Sequence, residues 1–359
     1  MDSPDIVAPT YVNLLEPPGL IAQFLAYPPL GFSTATTPDG VPYFVAPFDL
    51  LTTLESTAKR RIVSLPLYRW WGAWLKPRTC FIGTTATEYA PLPSHTDPAC
   101  FVDCIKAEFA PKYAFLIVKD LPQNSPLLDA GSNAVSRRVA DACRNAGFVL
   151  LDGQALAYVT IDFASTDEYL SRLSSGRRKD IRRKLRSAAE LDIQTIATGD
   201  ACFADASVRA EFYVLFRHVY DQSDVHFDLP SAEYFDAILQ DASSGGVIFV
   251  YHHAGRMIGY NLCYVCDGNL VDKYVGFVYP QARESNLYFV SWMHNLDYAV
   301  KHGLKHYIAG WTDPEIKRYL GAKFTFTRHA VYIRNPLLRA ILRRFSHAFE
   351  SDRAALEAA

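Results

Sequence analysis

Between Arg172 and Arg186, eight positive charges (Arg172, Arg177, Arg178, Lys179, Arg182, Arg183, Lys184 and Arg186) oppose a single negative one, Asp180. A run this dense is either a solvated face or a surface for phosphate-rich ligands such as a coenzyme diphosphate or a tRNA acceptor stem. Arg178, Arg182 and Arg183 are its candidate phosphate-facing residues. A second anion-binding candidate is the turn Pro280 to Ser285, between a strand and a helix. There Gln281, Arg283, Ser285 and Asn286 would surround free backbone N–H groups at a helix N-terminus. Asp272 is the candidate base. On a strand it shares a pleat with Leu270 and Tyr274 and opposes Lys273, so a cleft on its side would let it deprotonate an amine or bind the ammonium form. Tyr274, Trp311 and His226, the last in the link Asp221 to Asp228, are candidate substrate contacts.

Other reactive residue types lead less far. Cys263-x-x-Cys266 lies in a strand-like run whose residues three apart face opposite ways, and His302 and His306 straddle Gly303, so no metal is expected. The seven cysteines are expected to be reduced thiols. Trp70, Trp71 and Trp74 are dense enough for core packing or an acyl-chain pocket. No nucleophile motif stands out, which fits direct attack without a covalent enzyme intermediate.

The elements that must hold these residues are clearest in the second half. Helical spacing over Asp205–Ser223 and a helix opened by Pro230-Ser231 precede three strands, Gly246–His252, Arg256–Val265 and Asn269–Val278. A helix follows from about Asn286 to His302, with Phe289, Met293, Leu296 and Val300 on one face and Gly303 beyond its end. Then come a strand at His306–Ala309, a brief helix capped by Asp313 with Pro314 first, and a final strand at Phe324–Arg334. The first half alternates strands near Val41–Pro47, Thr79–Gly83 and Ala114–Lys119 with helices ending at Phe109 and spanning Ser136–Ala146. Strands at Phe148–Leu151 and Tyr158–Asp162 complete it. Pro336–Phe349 reads as an amphipathic helix with Leu338, Ile341, Leu342, Phe345 and Phe349 on one side, expected to dock on its own domain; a membrane-surface helix is the alternative.

Composition bounds the rest. At 359 residues the chain suits two domains, and 50% apolar with 13% aromatic residues excludes a disordered chain. A net charge of −2 argues against a dedicated DNA or RNA coat. The opening MDSPDIVAPT has neither a basic nor an apolar targeting region, and no apolar run reaches the length of a membrane span, so a cytoplasmic location is expected.

Three stretches carry a family resemblance: Ser165–Leu173 running into Arg177–Arg186, Asn286–Phe289 with the helix to Gly303, and Glu315–Phe324. With the element order, they resemble the GNAT acyltransferase superfamily in its FemAB-related branch. Val271–Gly276 resembles bacterial proteins labelled peptidoglycan biosynthesis or recognition. The resemblance covers about Leu150 to Asn335 and implies an α/β (α+β) fold of tandem GNAT-like domains, each a mixed, mostly antiparallel sheet flanked by helices. It places a degenerate N-terminal domain at 1–163, a basic connecting helix at 164–190 and a C-terminal domain at 191–359. It implies an N-acyltransferase moving an acyl group from an acyl-CoA or carrier-protein thioester, as co-substrate, to a small-molecule or peptide amine. The alternatives are an aminoacyl-tRNA donor and a non-catalytic ligand-binding protein. It also makes Lys317 a candidate for holding a phosphate or the developing oxyanion.

Overall fold

The computed structural model describes residues 10–49, 64, 75–223 and 226–344. In chain order these form β1 (Tyr11–Val12), α1 (Gly19–Ala26), β2 (Ser33–Thr36), β3 (Pro42–Pro47), β4 (Arg78–Ile82) and β5 (Leu92–Pro93). Next are α2 (Pro98–Phe109), β6 (Phe115–Pro122), α3 (Ala130–Asn145), β7 (Val149–Thr160), α4 (Thr166–Ser171), α5 (Ser175–Lys184) and β8 (Leu191–Ala197). Then follow α6 (Ala206–Gln222), α7 (Ala232–Gln240), β9 (Gly246–His253), β10 (Arg256–Cys266), β11 (Asn269–Phe277), α8 (Gln281–Glu284) and α9 (Leu287–Lys301). The chain ends with β12 (His306–Gly310), α10 (Pro314–Leu320), β13 (Lys323–Ile333) and α11 (Pro336–Arg344). Trp70, Trp71 and Trp74 lie outside the described residues.

Local chemistry explains most boundaries. Asp97 accepts from the N–H groups of Ala99 and Cys100 and Pro98 takes the first helical position, so α2 starts where its capping residues predict. α3 begins at Ala130, six residues before the expected start at Ser136, because Asp129 caps it by accepting from Ser132 N–H. The two strands expected around residues 148–162 are one strand, β7. Asp313 makes no side-chain cap on α10; it sits in the left-handed region (φ 54°) and its carbonyl accepts from Lys317 N–H.

The chain forms two compact units, and both are discontinuous in sequence. The first comprises 1–14, 31–155 and 326–359, the second 15–30 and 156–325. Two of their four boundaries fall inside β7 and β13.

Each unit is a mixed sheet flanked by helices, and both repeat one pattern. In the first, β2, β3 and β4 run antiparallel, α2 follows, and β6 lies parallel to β4 with β13 antiparallel beside it. In the second, β8 to β11 run antiparallel, α9 follows, and β12 lies parallel to β11 with β7 antiparallel beside it. A helical crossover is what a parallel pair requires. One apolar core joins Cys80, Phe101, Ile105, Leu116, Val139 and Phe148, and the other joins Phe249, Tyr251, Leu270, Trp292, Leu296 and Tyr307.

Candidate active site

In the second unit the parallel strands part early. β11 and β12 pair only from Asn269–Val271 to His306–Ile308, while β11 runs on to Phe277. Asp272 is the first residue of β11 past the last pair. Opposite it, β12 ends at Gly310 (φ 78°), where a Cβ would stand 3.9 Å from both the Asp272 carbonyl oxygen and Lys317 Nζ. The site is therefore built where the ladder opens.

Asp272 is half-buried, with its carboxylate among protein donors. Three neutral donors converge on Oδ2: Asn261 Nδ2 at 2.9 Å, Asn295 Nδ2 at 3.1 Å and the Tyr307 hydroxyl at 2.9 Å. The Cys263 thiol, at 3.7 Å, donates to Oδ1. Burial raises the Asp272 carboxyl above its ordinary value, against the opposing pull of Asn261, Tyr307, Lys317 and Cys263. Burial likewise holds Cys263 and Tyr307 protonated, each reinforced by the neighbouring Asp272. Cys263 is thus a thiol donor rather than a thiolate nucleophile. Because both amides turn their nitrogens to the carboxylate, Asn261 Oδ1 and Asn295 Oδ1 face away from it, and both are buried without a hydrogen-bond partner.

Lys317 is only 4% exposed, which is rare for an ammonium and requires opposing charge. It rides on the short helix α10, whose carbonyl end is held by two side chains from the basic stretch's own neighbourhood. The Tyr169 hydroxyl donates to Leu320 O at 2.5 Å, and Arg177 donates to Tyr319 O and Arg318 O, both at 2.9 Å. Cations and donors at a helix C-terminus satisfy its free carbonyls.

Much of the basic stretch is committed in this way. Arg172 binds Asp162 and Glu168, Arg178 donates to Ser171 O, and Lys184 pairs with Asp180 over the Phe289 ring. Arg182 pairs with Asp167 and Arg183 with Asp180, but both remain exposed, as do Lys179 and Arg186. The exposed set is the part able to exchange partners, since surface pairs are weak.

Three sequence expectations change here. Asp272 and Tyr274 do not share a pleat: Leu262 pairs with Tyr274 and Cys263 with Asp272, leaving Lys273 as the extra residue of a bulge. Successive residues of β10 face opposite ways, so Asp272 points to α9 while Tyr274 points to α6 and α7. There its hydroxyl meets that of Tyr234 at 3.0 Å, its ring packs on Phe216 and Phe235, and Lys273 reaches Glu16 at 3.3 Å.

Second, most N–H groups of the turn at 280–285, expected to be free, are engaged within it. Those of Ala282, Arg283, Glu284, Ser285 and Asn286 all donate to carbonyls between Val278 and Arg283. Within it Gln281 opens α8, Arg283 donates to Gln222 at 2.8 Å and stacks on Tyr279, and Ser285 O accepts from Ser187 at 2.5 Å. Asn286, in the left-handed region (φ 49°), joins α8 to α9. Third, of the expected α9 stripe, Met293 and Leu296 are buried while Phe289 and Val300 are half-buried; Leu287, Val290, Ser291, Trp292, Asn295 and Ala299 are the other buried residues.

The structure thus brings Asp272 and Lys317 together and separates them from Tyr274. His226 is exposed, held by Tyr220 O at 2.8 Å and set edge-on against its ring. Trp311 is half-buried immediately after Gly310. Sequence reasoning missed Asn261, Asn295, Tyr307 and Cys263. The signal available was an amide inside each of two apolar runs, Gly259–Cys263 and Trp292–Leu296.

The C-terminal domain of a putative lysylphosphatidylglycerol synthetase from Agrobacterium fabrum superposes with a TM-score of 0.54 at 11% identity, covering 92% of this chain and 90% of that one. L-PGS from Bacillus licheniformis gives 0.53 at 9% identity, covering 93% and 96%. A conserved protein of unknown function from Bacteroides thetaiotaomicron gives 0.50 at 8%, covering 90% and 94%. These likenesses concern the fold. No curated protein sequence matches this one. The FemAB-like family, described as peptidoglycan biosynthesis/recognition, matches residues 115–358, more than half of the chain. On that match the chain belongs to the FemAB-like family.

Proposed function

We propose that this protein transfers an aminoacyl group from aminoacyl-tRNA to the amine of a peptide or small-molecule acceptor, by direct attack at the Asp272–Lys317 centre. The observation that carries the reading is that centre itself: a recessed carboxylate with one committed and one nearly uncommitted oxygen, beside a buried ammonium, where two parallel strands part. The acceptor must attack as a neutral amine, so its nitrogen loses a proton as the C–N bond forms. Asp272 Oδ1 is the oxygen available to take it, and a raised carboxyl holds that proton more firmly than an ordinary aspartate. The ester carbonyl oxygen gains negative charge, which Lys317 offsets. The C–O bond to the ribose then breaks, and the proton passes to the departing ribose oxygen. Asn261 Oδ1 and Asn295 Oδ1 are acceptors suited to an ammonium or amide N–H of either substrate.

The donor assignment rests on three supports. The family description concerns peptidoglycan, whose stem peptides offer amine acceptors. A structural neighbour is named as a lysylphosphatidylglycerol synthetase, so this fold is compatible with aminoacyl cargo. The turn expected to cradle a coenzyme diphosphate uses five of its N–H groups, those of Ala282 to Asn286, internally, which weighs against acyl-CoA at that place. Acyl-CoA is the second reading, favoured by the GNAT-like fold. The deciding experiment offers the purified protein a pool of radiolabelled aminoacyl-tRNAs and a panel of acyl-CoAs with diamine and stem-peptide acceptors. Label moving from tRNA into an amide is the expected outcome; label moving only from CoA thioesters would replace the donor.

A further inference from the structure

Among the described residues, six large apolar side chains are exposed, and three of them lie on the nine-residue helix α11: Leu337 at 74%, Leu338 at 49% and Ile341 at 53%. Among its described residues, Pro336–Arg344, none is buried, so over this part the apolar stripe is not covered by its own domain as expected. At 100° per residue, Leu337, Ile341, Leu338 and the half-buried Leu342 form one continuous stripe. Arg344 and Arg339 flank it on either side, and Arg343 lies on the opposite face. In sequence the same spacing continues at Phe345 and Phe349.

The charge pattern selects the occupant of this face. Arg334 to Arg344 contains four arginines and no acidic residue. Arg339 is partly spent on the fold, stacking on Tyr332 and donating to Ile333 O at 3.0 Å, Arg334 donates to Pro111 O, and Arg344 is exposed at the edge of the stripe. A second copy of the helix would bring arginines against arginines along both edges of the stripe, which like charges oppose. An anionic bilayer accepts the apolar stripe among its acyl chains and places lipid phosphates level with the flanking guanidinium groups.

We infer that α11 is an interfacial anchor that seats the protein on anionic membrane surfaces. The inference is independent of the transfer reaction and of its donor. The test is co-sedimentation of the full-length protein with vesicles of phosphatidylcholine alone, or of phosphatidylcholine mixed with phosphatidylglycerol. Binding to the mixed vesicles is expected, with affinity falling at least about tenfold when salt rises from about 0.1 M to about 1 M. A comparable fall is expected in Leu337→Ser/Ile341→Ser and in Arg344→Glu, with melting temperatures unchanged because all three side chains are exposed. Three results would overturn it: no binding to mixed vesicles at low salt, equal binding by the variants, or loss of a concentration-dependent dimer in Leu337→Ser/Ile341→Ser without loss of vesicle binding.

Discussion

Asp272 carries a conflict that can be measured without knowing the substrate. Its carboxyl is raised in the folded protein, so the native state holds a proton there at pH values where the unfolded chain has released it. The stabilising contribution is complete below the ordinary aspartate range and is lost as pH rises through the folded value. Asp272→Asn keeps an acceptor oxygen for Asn261, Asn295 and Tyr307 but has no charge to desolvate. Urea unfolding at pH 4.5 and 7.5 should therefore show the variant gaining on the wild type as pH rises; a difference that is flat or reversed in sign would mean the carboxyl is not raised. Asp272 and Lys317 were both legible in the sequence, the first as a carboxylate in a strand and the second through a family resemblance. The donors around them were not, because Asn261 and Asn295 become partners only when β10 and α9 meet the same side of β11.

At the scale of elements, a single inserted residue decides which side that is. The bulge at Lys273 lies in a run whose alternation looks regular, so periodicity reads Asp272 and Tyr274 onto one face and the pairing register puts them on two. Helix limits were easier to read, because caps such as Asp97 and stops such as Gly303 are local chemistry. Sequence alone suggests phosphate binding for the basic stretch; in the fold, part of it holds α10, and with it Lys317. Gly321 ends that helix at φ 101°, with a Cβ position only 2.7 Å from the Tyr169 hydroxyl. Gly321→Ala should cost about 1–3 kcal/mol in chemical unfolding, from the left-handed backbone together with the displaced tyrosine. Arg177→Met should lower kcat for transfer more than it changes KM for the acceptor, since Arg177 positions α10 rather than binding substrate. A pure KM effect would place Arg177 in substrate binding instead.

For the whole molecule, the two units share a topology but not a site. In the first, the parallel pair β4 and β6 also ends early, after Ile82 and Val118, yet Lys119 spans that place by donating to Thr84 O at 3.0 Å and pairing with Asp120. The second unit has Gly310 and an open ladder where the first has a lysine, which favours the second as the reacting unit. The near-neutral net charge conceals where tRNA would bind. With Arg178 engaged by Ser171 O, the exposed pair Arg182 and Arg183 is the better probe. Arg182→Glu/Arg183→Glu should weaken tRNA binding and reduce the slope of log affinity against log salt by about 1 for each phosphate that is no longer neutralised. An unchanged slope would remove this surface from the donor site. The most direct test of the Asp272–Lys317 centre is single-turnover transfer from labelled aminoacyl-tRNA to an amine acceptor. The centre's assigned role requires Asp272→Asn to slow it by about 10²–10⁴-fold and Lys317→Met by about 10²–10³-fold, with tRNA binding retained. Transfer at the wild-type rate in both variants would contradict it.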